Sequence, residues 1–125
     1  MPLEVTAKER EPGITVIYPV GSIDSDSHAV LQKTVDSILA AEPLRVLIFD
    51  MGGVHFISSM GLRVILRTRK ALRASGGKLL MTNLRPQIKM VFDLVKALPK
   101  ERIFASIAEL DDYLAHMQRK ALEEN

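Results

Sequence analysis

The sequence has 125 residues, of which 47% are hydrophobic and 26% charged, and its formal net charge at pH 7 is +2. This composition is typical of one ordinary globular domain, and it is not that of a disordered or a membrane chain. The chain has no cysteine, which excludes disulfides, thiolate metal sites and cysteine nucleophiles.

The spacing of the apolar residues predicts an α/β domain that opens with a hairpin. The predicted elements, in chain order, are strands at 3–10 and 14–18, a helix at about 28–41, a strand at 45–50, a helix from 62 to the turn at 75–77, a strand at 78–83, a helix from 86 to Pro99, a strand at 103–104 and a helix from 106. Pro19 favours an edge position or a bulge near the end of the second strand, which residues 20–23 continue. Strands that alternate with helices predict a mixed, mostly parallel sheet of about five strands with about four helices, in the order ββαβαβαβα.

The sequence contains no signal for insertion into a membrane. Its apolar runs fall well short of the ~20 residues that cross a bilayer. Residues 1–6 lack the basic start and the hydrophobic stretch of a signal peptide. We therefore expect a cytoplasmic protein with no membrane span, in which residues 1–125 form a single domain.

Positive charge is concentrated in the middle of the chain. No acidic residue lies between Asp50 and Asp93, and the basic residues of this segment are Arg63, Arg67, Arg69, Lys70, Arg73, Lys78, Arg85 and Lys89. Such a segment attracts acidic partners or phosphates, and the alternative is a solvated helix face that the acidic ends balance in space. Because no aromatic residue lies among these bases, nucleic acid is not expected as a partner.

The segment 55–61, His-Phe-Ile-Ser-Ser-Met-Gly, is predicted to be a loop that leads into the second helix. It brings the hydroxyls of Ser58 and Ser59 to the positive end of a helix, among backbone N–H groups that lack helical partners. A phosphate on Ser59 would add about −1.5 to −2 charges and would change the surface that a partner meets, without catalysis. The alternative is that Ser58 or Ser59 only caps the helix.

Several segments resemble STAS domains. Residues 56–66, Phe-Ile-Ser-Ser-Met-Gly-Leu-Arg-Val-Ile-Leu, resemble the family signature, in which a core strand leads into an Asp/Ser-Ser-x-Gly-Leu junction. Residues 21–24 resemble the Gly-x-Leu-Asp segment before the first helix, residues 76–79 the turn into the next strand, and residues 86–94 the helix that follows. The resemblance spans nearly the whole chain in the expected element order, and it points to the anti-sigma factor antagonist branch.

The resemblance implies a regulatory switch, not an enzyme, and it implies no cofactor. In the antagonist branch, the serine matching Ser59 is phosphorylated by an anti-sigma factor that is itself an ATP-dependent serine kinase. A metal-dependent serine phosphatase restores it, and the unphosphorylated form binds the anti-sigma factor and frees the sigma factor. Ser58 stands where some members have Asp, which leaves Ser58 open as the acceptor in place of Ser59.

The same resemblance implies a partner surface around the acceptor. Matched by position, Asp24, Ser58, Met60 and Gly61 shape this surface, and Arg63 belongs to the exposed side of the following helix. Met60 stands where many members have Ser, Thr or Ala, which changes the contact surface but not the chemistry. Methionine is an adaptable contact residue when it is exposed, although it more often fills gaps in a core.

Two other functions stay open. One is a STAS module that binds a small ligand, a nucleotide or a scaffold partner without being phosphorylated. The other is a magnesium-dependent phosphohydrolase that uses Asp24-Ser25-Asp26 with Ser58, Lys78 and Asp111-Asp112. Pro19 and Gly21 interrupt the strand that would deliver the first of these carboxylates, and the last two fall in a predicted helix, which argues against this function.

The sequence does not favour a serine hydrolase site or a histidine metal site. A hydrolase nucleophile elbow around Ser59 needs a glycine where Ile57 stands. The three histidines, His28, His55 and His116, fall on different predicted elements without paired ligand spacing, so a metal site is not expected.

Overall fold

The computed structural model describes residues 2–97 and 107–124, which form five strands and four helices. In chain order these are β1 (Glu4–Glu11), β2 (Ile14–Ile23), α1 (His28–Ala41), β3 (Val46–Asp50), β4 (Val54–Ile57), α2 (Ser59–Ala74), β5 (Lys78–Thr82), α3 (Pro86–Ala97) and α4 (Ile107–Glu124). The predicted α/β class and its mixed sheet are confirmed. The strand predicted at 103–104 lies outside the described residues.

The sheet combines antiparallel and parallel pairing. Strand β1 pairs antiparallel with β2, and this is the most extensive pairing of the sheet. Strand β3 lies parallel to the first half of β2 and also parallel to β5, whereas β4 lies parallel to the last residues of β2. The sheet is therefore mixed, and the prediction that it is mostly parallel is wrong. The reason is that the antiparallel opening hairpin contributes the longest ladder of the sheet.

Strand β4 corrects the prediction that residues 55–61 form a loop. Residues 54–57 are a strand that pairs with residues 21–23, and helix α2 begins two residues later, at Ser59. Val54 and Ile57 are buried and His55 is exposed, as in a half-buried strand, but the strand is only four residues long. A strand this short leaves almost no periodic signal, and its pairing partner lies far away in the sequence.

Pro19 lies inside a central strand, so the predicted edge position is wrong, whereas the alternative of a bulge near the end of this strand agrees with the register shift between Gly21 and Ser22. It lies close to the turn between β3 and β4: a Cβ added to Gly53 in that turn would lie 3.1 Å from the Pro19 carbonyl oxygen. The residues before it, 14–17, pair with β3, whereas residues 21–23 pair with β4. The proline therefore stands where the partner of β2 changes from β3 to β4, a position at which a residue without an N–H is tolerated.

The helices begin and end where local sequence signals lie. Helix α1 follows Ser27 at its N-cap position and ends two residues before Pro43, as predicted, and it buries Leu31 and Val35 one turn apart. Helix α2 buries one face, which includes Leu62, Ile65 and Leu72. Its basic residues lie on the other side, where Arg63 is partly exposed and the remaining four are exposed.

Packing of the helices on the sheet positions the junction between β4 and α2. Helix α1 contacts β1, β2 and α2, while α2 also contacts β4 and β5. Helices α3 and α4 pack against each other, and both contact β4. The core between helices and sheet is apolar and includes Ile17, Ile23, Leu47, Phe49, Met51 and Ile57, none of which has any exposed surface.

Candidate functional site

The ends of β2 and β4 lie side by side, and this pairing assembles the site. Ile23 pairs with Ile57, and the Ser58 N–H donates to the Ile23 carbonyl oxygen at 2.9 Å. The loop 24–27, which leads into α1, therefore lies beside the serines that begin α2. Asp24 and Ser58, both predicted as site residues, are brought together although they are far apart in the sequence.

The two serines have different structural roles. Ser58 is the N-cap of α2, with φ −93° and ψ 176°, and its Oγ accepts a long bond of 3.4 Å from the Gly61 N–H. Its carbonyl accepts the first helical bond, from the Leu62 N–H, at 2.9 Å. Ser59 is the first residue of the helix itself. The capping role that the sequence left open for either serine therefore belongs to Ser58.

Both serines are buried, which the sequence did not predict. Ser58 exposes 8% and Ser59 7% of its surface. The cause is the close approach of the first turn of α2 to the ends of the two strands. A group as large as a phosphate on Ser59 therefore requires the first turn or its neighbours to move.

Gly61 makes this close approach possible. A Cβ at this position would lie 2.6 Å from the Ile23 carbonyl oxygen and 2.8 Å from side-chain atoms of both Ile23 and Ile57. Contacts this short with backbone do not occur in folded proteins, so a residue with a side chain would push the helix off the strands. The predicted site residue Gly61 thus acts through packing of the junction.

Asp24 organises the loop before α1. Its Oδ1 accepts the N–H groups of Asp26 and Ser27, each at 3.0 Å. The Ser27 Oγ accepts the Asp24 N–H at 2.9 Å and lies 2.6 Å from the Ser22 carbonyl oxygen. These are the bonds of turn and capping chemistry, which the sequence also allowed for this loop.

Two glutamines that the sequence analysis missed hold β4 from the other side. Gln118 on α4 is 1% exposed; its Oε1 accepts the Ile57 N–H at 2.9 Å and its Nε2 donates to the Ile57 carbonyl at 2.8 Å. Gln87 on α3 is 3% exposed, and its Nε2 donates to the His55 carbonyl at 3.2 Å. The burial of Gln118 could have been predicted from the sequence, because it lies between Leu114 and Ala121 on the apolar stripe of its helix.

A groove of about 420 Å³ runs between α1 and α2 and reaches the serine junction through Met60. Its lining residues are His28, Ala29, Gln32, Lys33, Asp36, Ser37, Met60, Arg63, Val64 and Arg67. Met60 and Arg63, both predicted to form part of a partner surface, are partly exposed and face this groove. The contribution of α1 to it was not predicted.

The phosphohydrolase residues are not brought together. Lys78 begins β5 and, through the parallel registers, lies level with Ile14 at the start of β2, whereas Asp24 follows the other end of that strand. At ~3.3 Å per residue the strand separates the two by roughly 30 Å. Asp111 and Asp112 belong to α4. Over the described ranges, no group of three or more His, Asp or Glu side chains is arranged to hold a metal ion.

Comparison with models of protein families identifies the family of this chain. The model for the STAS domain matches residues 6–110. The chain belongs to the STAS domain family. The resemblance noted in the sequence is thereby confirmed. Among the helices of residues 2–97 and 107–124, none combines the length and the apolar character that crossing a membrane requires.

One curated protein and several solved structures of similar fold are named as anti-sigma factor antagonists. A Bordetella bronchiseptica protein named "Putative anti-sigma factor antagonist BtrV" is 40% identical over 50 residues, a match that spans 40% of this chain and 43% of that protein. The anti-sigma factor antagonist SpoIIAA in its unphosphorylated form gives a TM-score of 0.63 at 18% identity, over 73% of this chain and 83% of that one. The phosphorylated form of SpoIIAA, described as a Bacillus cell fate determinant, gives a TM-score of 0.63 at 16% identity. That match covers 79% of this chain and 95% of the other. At such identities the two solved structures establish a shared fold.

Proposed function

We propose that this chain is a phosphorylation-controlled anti-sigma factor antagonist, a binding module and not an enzyme. In its unphosphorylated form it binds an anti-sigma factor that is a serine kinase, and a metal-dependent serine phosphatase reverses the modification. Residues 1–125 act as one STAS domain. The family match over residues 6–110 and the name of the Bordetella relative support this function. The observation that carries it is the position of Ser59 at the first helical residue of α2.

Ser59 is the phosphate acceptor in this proposal because Ser58 already has a structural task. The Ser58 Oγ accepts the Gly61 N–H, so esterifying this oxygen with a phosphate would alter the existing cap of α2. A phosphate on Ser59 stands within the first turn, where the helix dipole and the N-terminal N–H groups stabilise an anion. In this proposal the phosphate is therefore on Ser59, and Ser58 keeps its capping bond.

Burial of Ser59 turns the phosphate into a change of shape as well as of charge. The unmodified serine lies in a packed first turn with only 7% of its surface exposed. A phosphate carries about −1.5 to −2 charges at pH 7, and it must reach solvent or basic groups. Its neighbour Met60 lies on the partner surface and must shift with the turn. The modification thus alters both the charge and the contour that the anti-sigma factor meets.

Phosphorylation with purified components tests this proposal. Each serine-kinase anti-sigma factor of the source genome is incubated with ATP and with the wild-type chain, with Ser59→Ala or with Ser58→Ala, and the phosphate is mapped by mass spectrometry. We expect phosphate on Ser59 in the wild type and in Ser58→Ala and none in Ser59→Ala, together with loss of kinase binding after modification. Phosphate on Ser58 alone, or none with any of the kinases, overturns the proposal.

A further inference from the structure

The groove between α1 and α2 has a one-sided charge. Its cationic side chains are Lys33, Arg63 and Arg67, and Asp36 is its one carboxylate. The Asp36 Oδ1 accepts a bond of 2.8 Å from Gln32 Nε2, one turn earlier on α1. Helix α2 contains no acidic residue at all. The groove therefore presents a positive surface.

The walls of the groove have the shape that a third helix fits. On α1 the lining positions include 29, 32, 33 and 36, and on α2 they are 60, 63, 64 and 67. Both sets follow the i, i+3, i+4, i+7 spacing of a single helix face. Each ridge thus spans two turns, about 10 Å. The apolar residues of the lining are Ala29 on α1, which is exposed, Met60 on α2, which is partly exposed, and Val64, which is buried beneath them.

We propose that this groove binds an acidic amphipathic helix of the protein partner, a proposal that rests on the function proposed above. Apolar side chains of that helix pack on Ala29 and Met60. Its carboxylates lie along both ridges, opposite Lys33 on α1 and Arg67 on α2. Arg guanidinium groups bind carboxylates through two parallel N–H bonds, which favours an acidic ligand over a merely polar one.

An acidic partner also explains why a phosphate on Ser59 stops binding. Arg63 lies four residues after Ser59 on α2, so the two positions share one face of the helix. A phosphate on Ser59 competes for Arg63 and places negative charge at the end of the groove, next to the carboxylates of the partner. With an acidic partner, like-charge repulsion and the loss of Arg63 as a binding cation both weaken the binding of the partner.

A peptide titration followed by NMR tests the groove. The probe is a synthetic amphipathic helix of about four turns, with leucines on one face and glutamates beside them, and its matched control carries glutamines in place of the glutamates. We expect the glutamate peptide to shift the amide resonances of α1 and α2 around the groove. Reversing two charges, Lys33→Glu with Arg67→Glu, should weaken its binding roughly tenfold. Arg69→Glu with Lys70→Glu, on exposed positions of α2 outside the groove, should leave binding unchanged.

A further arm exchanges the charges across the interface. A peptide with lysines in place of glutamates should bind the doubly reversed variant better than the wild type. Equal binding of the glutamate and glutamine peptides, or resonance shifts confined to other surfaces, overturns the proposal. Because the titration uses unphosphorylated protein and needs no kinase, its failure leaves the phosphorylation test of Ser59 intact, and failure of that test leaves the titration valid.

Discussion

Gln118 holds both polar backbone groups of Ile57, by accepting its N–H at 2.9 Å and by donating to its carbonyl at 2.8 Å. The Ser58 N–H bonds to β2, and backbone N–H groups of a strand alternate in direction, so these Ile57 groups face away from β2. The glutamine therefore provides the bonds that a neighbouring strand would supply. Through this contact α4 fixes the residue that directly precedes the two serines.

Replacing Gln118 should destabilise the fold strongly. Gln118→Leu keeps the size of the side chain but leaves the N–H and C=O of Ile57 buried without these partners, so we expect a loss of about 2–4 kcal/mol. Urea unfolding followed by circular dichroism measures it. Gln32→Leu is the matched control, because its bond to Asp36 is exposed, and it should change stability by less than about 0.5 kcal/mol. Equal effects of the two substitutions would contradict the role of Gln118.

Replacing Gly61 with alanine should destabilise the protein, although alanine normally stabilises a helix. The added Cβ meets the Ile23 carbonyl oxygen at 2.6 Å, and we expect a loss of about 1–3 kcal/mol from the displaced first turn. Thermal unfolding measures it. The control is Ala71→Gly, on an exposed position of α2, which should lose only about 1 kcal/mol by helix propensity. A gain in stability for Gly61→Ala would show that the junction has room for a side chain.

The N-cap bond of Ser58 should make a modest contribution. Ser58→Ala removes the acceptor of the Gly61 N–H, and because that bond is long we expect a loss of about 0.5–1 kcal/mol. Ser58→Asp should recover this loss, since a carboxylate is a good N-cap and favours the positive end of the helix. Chemical unfolding of the three proteins under one set of conditions distinguishes them. If alanine and serine prove equally stable, the cap has no energetic role.

Charge at Ser59 should control partner binding. We expect Ser59→Asp to weaken binding of the anti-sigma factor at least about tenfold, or about 1.4 kcal/mol, while Ser59→Ala retains it. Isothermal titration calorimetry with the purified kinase measures both affinities. Ser75→Asp places the same charge at the opposite end of α2 and should leave binding unchanged. Equal affinities of Ser59→Asp and Ser59→Ala would refute the charge switch.

Much of the fold could be predicted because its signals are local. Helix α1 begins and ends at the predicted residues, since a loop with capping residues precedes it, an apolar stripe runs along it and Pro43 follows it. The charged and apolar faces of α2 were predictable from the 3.6-residue period for the same reason. The sequence also allowed the serines to be placed at the start of a helix, which is the central feature of the site.

Tertiary structure alone decided how that feature is built. The pairing of β4 with the end of β2 brings Asp24 beside Ser58, buries both serines and makes Gly61 necessary. Gln118 reaches the same place from α4, at the far end of the chain. These contacts join segments that are distant in sequence, so a helical period can show that Gln118 is buried but cannot show which residue it contacts; the contacts exist only once the strands and helices have packed. The sequence by itself determined the helices and most of the strands, because their signals are local, whereas packing decided that residues 54–57 pair as a strand and that Ser58, not Ser59, caps the helix.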